Sequence, residues 1–451
     1  MKIIVAGAGA GKTTSMAQKV LDRLNEITDG KIVYVITYTN AARNCIRDKI
    51  IELNGSLPKQ LLIETSHAFL LREFIFPFHH LLYEQQYSKA SQIKLPDNHV
   101  FKALKIKELR VNKIMHVEKV TETAKWIVSQ KSGDKISIKR KREKILAIIS
   151  RYLDSVFIDE AEDIDDHILK IIEVLNANGT NICLVGDPKQ DLRGRNTFKQ
   201  MVLTNKQHVE YIIENYRCPI LHVNLSNLYI SDEEKQIPQK TEDGQIGFIF
   251  ESTIDVANYI EDDNWDYLFI YKKNARYRTN ANSHTINEQN LSYELKSIVM
   301  KADIKENEVD KYVYVVKKAI LKRVSSKSNF WIFNKLEEFL NIKLIKQDKG
   351  KLGQALDFIR ENPIVDGLLV NSIDSVKGLE GERCIFILTP DLAAYLFKEK
   401  KEQNKMMNYL YVALTRSKKD LLILVTKEVE NNHGKESIES SFSDIGISIF
   451  N

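Results

Sequence analysis

The sequence predicts an α/β protein of two strand-and-helix units, each interrupted by a helical insertion. Three observations carry this expectation. Apolar, β-branched runs alternate with helical periodicity near both ends of the chain. Lysine-rich helical stretches break the alternation at about 76–153 and 283–364. The first apolar run, Ile3 to Val5, passes through a small-residue loop, Ala6 to Gly11, into a helix opened by Lys12-Thr13-Thr14.

In chain order, the opening helix runs on through Leu21 and Leu24, and a turn at Asp29-Gly30 precedes a strand over Ile32 to Thr37. Asn40 is placed to cap a helix whose apolar positions Ile46, Ile50 and Leu53 recur at helical spacing. A strand at Leu61 to Thr65 leads into Ser66-His67. The first insertion follows, with the run Lys139-Arg140-Lys141-Arg142 open to two readings, a solvated helix face or a set of phosphate contacts. Strands return at Val156 to Ile158 and Ile182 to Val185, then at Ile246 to Phe250 and Tyr267 to Tyr271. After the second insertion, Leu368 to Asn371, Cys384 to Leu388 and Leu421 to Val425 close the pattern.

The 451 residues suffice for several domains, and 43% hydrophobic with 28% charged residues is an ordinary globular balance. A formal net charge of +5 permits a polyanion partner without requiring one. Cys45, Cys183, Cys218 and Cys384 form no C-x-x-C pair, so they read as core residues in a reducing compartment. The short apolar start is too brief for a signal peptide or membrane span. Cytoplasmic placement with no membrane partner is the expectation.

The loop chemistry is specific. Polyphosphate is wrapped by backbone N–H groups only where side chains do not block it, which suits Ala6, Gly7, Ala8, Gly9, Ala10 and Gly11 ahead of a helix N-terminus at Thr14. Lys12 supplies a point charge for the β and γ phosphates, and the Thr13 hydroxyl a ligand for Mg²⁺. Asp159-Glu160 after an apolar strand provides a metal-shell carboxylate and a base for the attacking water. Gln190, at the end of the next strand, is a neutral candidate for sensing the γ-phosphate. Arg217 and Arg416, from the second unit, are planar donors for charge on the transferred group, although either alone reads equally as a surface ion pair.

The ordered set AGAGAGKT, TYTNAA, ETSHAF, FIDEAED, VGDPKQ, ENYRCP, SVKGLEG and YVALTR resembles superfamily 1A helicases of the UvrD/Rep/PcrA group. The resemblance spans Ala6 to Arg416. It implies two RecA-like parallel-sheet domains with ATP in the cleft between them: residues 1–200 with a helical insertion at about 75–150, and residues 201–451 with a reduced insertion at about 280–364. It further implies that Lys12, Thr13 and Asp159 hold phosphate and Mg²⁺, that Glu160 is the base, and that Gln190, Arg217 and Arg416 read the γ-phosphate. By the same resemblance Tyr216 stacks on the base and Glu380 approaches the ribose and phosphates. Tyr38, Thr39, Asn40, His67, Ser375 and Lys377 fall where the family grips single-stranded DNA, and an aromatic ring at Tyr38 suits stacking on any base.

Departures from the pattern shape the expectation. No residues ahead of Met1 carry the family's glutamine-bearing adenine-recognition segment. Arg193 and Arg195 stand where the family has DNA-stacking aromatics, Asp374 replaces a histidine, and Asn404 to Asn408 replace a charged run. The ATPase core is intact and the stepping platform altered. The expected activity is therefore an ATP-dependent helicase or translocase on single-stranded DNA, moving 3′-to-5′. The alternative is a DNA- or nucleotide-sensing ATPase switch that regulates a separate nuclease, in antiphage defence of the Gabija kind or in DNA repair.

Overall fold

The run Lys2–Ala6 forms a strand whose residues from Ile3 onward are buried, the pattern of a central strand covered on both faces. In the computed structural model, which describes residues 1–96, 98–261, 265–279, 283–302, 304–305, 308–360 and 368–450, this strand sits inside a six-stranded sheet. Edge to edge the order is Leu61–Thr65, Ile32–Thr37, Leu153–Ile158, Asn181–Gly186, Lys2–Ala6, Val209–Ile212, and every pairing is parallel. The helix Lys12–Glu26 buries Met16, Ala17, Val20, Leu21 and Leu24 against one face, beside Ile46 and Ile50 of the helix Asn40–Asn54. That second helix is capped by Thr39, whose hydroxyl accepts from the Ala42 N–H at 3.1 Å. Asn40, expected as the cap, is instead the first helical residue.

A second, seven-stranded parallel sheet runs in the order Tyr277–Thr279, Leu368–Ser372, Tyr267–Ile270, Gly381–Leu388, Ser417–Val425, Gln245–Phe250, Ser448–Ile449. Its core gathers Phe248, Phe269, Phe386, Leu410 and Ile423. The architecture is the expected α/β class with two parallel, RecA-like sheets. Both sheets belong to one compact unit, made of residues 1–85, 120–279 and 368–451. Because Val209–Ile212 still pairs with Lys2–Ala6, the changeover between sheets falls after Ile212, later than the expected boundary at 200.

A second unit contains residues 86–119 and 280–367. The helices Ser283–Val299, Val309–Leu321, Asn329–Leu340 and Lys346–Arg360 share a core built on Leu291, Leu295, Val313, Leu336 and Leu352. Residues 86–119 join it through the ion pair Lys105–Glu294, 2.6 Å, and through Lys351–Glu108. The expected first insertion is thus divided, its centre in this unit and its flanks, including Ile136–Tyr152, with the sheets. The expected ends of the second insertion, 280 and 364, lie outside the described residues.

Candidate active site

The phosphate loop turns on two glycines in the left-handed region, Gly9 at φ 73° and Gly11 at φ 69°. A Cβ at Gly9 would lie 2.6 Å from both Arg217 Cβ and Asn215 Oδ1, so the loop runs directly against the Asn215-Tyr216-Arg217 segment. The Tyr216 N–H donates to the Gly9 carbonyl at 2.9 Å. The Tyr216 ring stands beside Gly11 and is 59% exposed, leaving a face open for stacking. Among the described residues, no hydrogen bond or ion pair occupies the Lys12 ammonium or the Thr13 hydroxyl.

Asp159 is buried at the carboxyl end of Leu153–Ile158, and burial pushes its carboxyl up to about 6 against the opposing charge of Lys12. Its Oδ1 is shut off from solvent without a hydrogen-bond partner, as is Glu160 Oε2. Glu160 takes the left-handed conformation at φ 51°, which turns the chain sharply off the strand end. Glu162 accepts the Asp187 N–H at 3.0 Å and is pushed up to about 8 by its burial. Asp187 in turn accepts from Gln190 Nε2 at 3.0 Å and pairs with Lys189 at 2.9 Å. Despite burial, Lys189 and Lys12 hold Asp187 below the usual carboxylate range.

These groups suit a magnesium–nucleotide. No cluster of three or more His, Cys, Asp or Glu able to hold a metal by itself occurs among the described residues. An unpartnered Asp159 oxygen and an uncommitted Thr13 hydroxyl match a cation that draws its other ligands from phosphate and water.

Arg416 is 1% exposed, yet among the described residues no carboxylate pairs with it. Its donors go to the Val412 and Leu379 carbonyls, at 3.0 and 3.1 Å, and to the Thr415 hydroxyl. Burial, with the nearby Arg217 charge, lowers its guanidinium to about 10. A buried cation with only neutral partners favours an anion. Arg217 pairs with Glu380, which also meets Lys418 at 2.9 Å; although burial raises the Glu380 carboxyl, these two cations hold it below its usual range.

The residues expected at DNA divide into two groups. Thr39, Asn40, His67, Arg193 and Ser375 are exposed, and Arg195 donates to the Asp163 carbonyl. Tyr38 and Lys377 are less accessible. Tyr38 is half-buried, its hydroxyl has no hydrogen-bond partner among the described residues, and the residue lines a small cavity with Ile36, Phe69 and Ile168. Lys377 reaches the acidic turn instead, with its ammonium 3.0 Å from Glu162 and from Asp163 and 3.9 Å from Glu160. Three carboxylates in a nearly dry site outcompete solvent for that cation.

Sequence reading missed Asn215, Gln236 and Tyr411, which all bond to Ala8 in the phosphate loop. It also missed Glu234, a second partner of Lys189 at 3.3 Å. Asn215 and Tyr411 lie within the ENYRCP and YVALTR motifs, whereas Glu234 and Gln236 belong to no motif. Cys183, Cys218 and Cys384 are buried, while Cys45 lies on an exposed surface. Among the described residues, no helix is long and apolar enough to cross a membrane.

A protein-family profile described as "AAA domain" matches residues 1–194. Gabija protein GajB of Bacillus cereus is 25% identical over 251 residues, covering 53% of this chain and 48% of its own length. A probable DNA helicase II homolog of Mycoplasma capricolum is 22% identical over 295 residues, covering 54% of this chain and 41% of its own. The chain spans about half the length of these curated relatives. Among solved structures, a complex of arterivirus nonstructural protein 10 (helicase) with DNA aligns over 95% of this chain and 62% of its own at 10% identity. The TM-score of that alignment is 0.38.

Proposed function

We propose, from the premise that this chain is UvrD/Rep-like, that it hydrolyses ATP between its two sheets and couples the cycle to 3′-to-5′ movement on single-stranded DNA in the cytoplasm. The observation that supports this most directly is the packing of Gly9 against Asn215-Tyr216-Arg217, which puts a stacking ring and a guanidinium beside the phosphate loop. In this reading the loop amides and Lys12 bind the phosphates, and Tyr216 stacks on the base. Bound Mg²⁺, held by Thr13 and Asp159, would neutralise charge on the phosphate oxygens. Glu160 accepts a proton from the attacking water at its carboxylate. Gln190, Arg217 and Arg416 stabilise the charge that spreads over the transferred phosphoryl oxygens.

A second reading is a DNA- or nucleotide-sensing switch that gates a separate nuclease. It is favoured by the ion pairs that hold Lys377, one of the expected DNA contacts, at the acidic turn, and by the likeness to a Gabija protein.

ATP hydrolysis measured with and without single-stranded DNA, at two salt concentrations, separates the two. A motor is expected to show strong stimulation that fades as salt competes for phosphate contacts. Hydrolysis indifferent to DNA favours the switch. Lys12→Ala is expected to abolish turnover in both; normal turnover in that variant would remove the site itself.

A further inference from the structure

We infer that Gln236 is a positioning residue for the phosphate loop, holding the Ala8 peptide in the orientation that receives a nucleotide. The inference rests on the reading of residues 6–14 as a nucleotide site.

The loop needs small residues so that phosphate can approach its backbone, and this leaves it soft: Ala8 stands between Gly7 and Gly9, two residues with little conformational preference. A flip of the Ala8–Gly9 peptide would turn the Ala8 carbonyl oxygen to the side that the Gly9 N–H now faces, replacing attraction for an anion with repulsion. Side chains from outside the loop restrain that motion. Gln236 Nε2 donates to the Ala8 carbonyl at 3.1 Å, and Asn215 Nδ2 donates to the same oxygen at 2.9 Å. Asn215 Nδ2 also donates to Gln236 Oε1 at 3.1 Å, which orients the carboxamide. On the opposite side of the residue, the Ala8 N–H donates to the Tyr411 hydroxyl at 3.0 Å, and that hydroxyl lies 3.4 Å from Gln236 Oε1. Both polar groups of Ala8 are thereby fixed, and Gln236 touches both arrangements.

Gln236 is itself held in place. It is buried, and Asn227 clamps its backbone, accepting from its N–H and donating to its carbonyl, each at 2.9 Å. Ile237–Pro238 pairs in parallel with Glu214–Asn215, so the segment carrying Gln236 and the one carrying Asn215 move together. A Cβ at Gly7 would come within 2.5 Å of the Gln236 carboxamide, so a larger residue there would displace that side chain. Two residues earlier, Glu234 reaches Lys189 of the VGDPKQ turn, so one short segment meets both nucleotide-facing turns of the first sheet. Preorganisation of this kind acts on binding, since a loop already in its bound shape loses less entropy when the ligand arrives.

The test is titration of the full chain with a fluorescent ADP analogue without Mg²⁺, so that affinity is read apart from turnover, followed by KM and kcat for ATP. Gln236→Met keeps the volume and removes the hydrogen bonds. One net hydrogen bond corresponds to roughly a fivefold weaker Kd and higher KM, with kcat at saturation within about twofold. Gln236→Glu sets a carboxylate against the Ala8 oxygen and is expected to weaken binding further. Unchanged affinity in Gln236→Met, while Lys12→Ala loses binding, overturns the inference and leaves the nucleotide site standing. Wild-type affinity no better than that of Lys12→Ala fails the site reading and the inference with it. A loss in Gln236→Met that disappears well below its melting midpoint marks a purely structural role and also overturns the proposal.

Discussion

At the scale of single residues, burial sets the chemistry more than sequence neighbours do. His222 is fully buried, with Nε2 donating to the Gln245 carbonyl at 3.2 Å and Nδ1 unpartnered, and burial lowers its imidazole to about 4. The unfolded chain, with an ordinary value near 6.5, takes up the proton first as pH falls. The stability from neutral His222 is therefore complete above about pH 6.5 and is lost progressively as pH falls toward 4, reaching ~2 kcal/mol by pH 5. Urea midpoints at pH 8 and pH 5 should separate less in His222→Gln than in the wild type; equal shifts would mean that His222 does not titrate this way. The same contrast marks what was legible. Lys12, Asp159 and Glu160 announce themselves because strand, loop and charge occur in one short stretch. Gln236 does not, because its partner Ala8 is 228 residues away and no local spacing records the contact.

At the scale of elements, the central strands and the edge strand Leu61–Thr65 were legible as apolar runs, and the other edges were not. Val209–Ile212 is only four residues long and carries Glu210, whose carboxylate meets Lys2 and Lys19 on neighbouring elements. Nothing in so short a stretch assigns it to the first sheet. The basic run at 139–142 is partly spent on the fold, since Arg142 is buried against Asp134 at 2.8 Å. At the other end of the chain, Ser448–Ile449 adds an edge strand beside Gln245–Phe250, and the Phe450 N–H donates to the Phe248 carbonyl at 2.9 Å. Gly247 leaves room for it, as a Cβ there would lie 2.8 Å from Phe450 Cα, and the Phe450 ring packs 5.9 Å from that of Trp265. Phe450→Ala is expected to lower unfolding stability by about 1–2 kcal/mol, less than a core aromatic because the ring is partly exposed. An unchanged urea midpoint would show that this strand adds nothing to the sheet.

At the scale of the whole molecule, the two sheets are joined by buried polar contacts. Lys377, beside the second sheet, enters the carboxylates at 160–163, and Asn408 donates to the Asp191 carbonyl at 3.0 Å. Lys377→Met leaves those carboxylates without their cation, and calorimetry is expected to show melting that broadens or splits as the sheets uncouple. A single unshifted peak would mean that the coupling lies elsewhere. The helical unit raises a different issue. Its pieces, 86–119 and 280–367, are separated in the chain by about 160 residues. On a ribosome adding about 5–20 residues per second, the first piece emerges roughly ten seconds or more before the second exists. Until then Lys105 and Glu108 lack Glu294 and Lys351, their ion-pair partners from the second piece. The gene order of this chain thus sets a waiting time during synthesis, and that interval is when a chaperone would have most to hold.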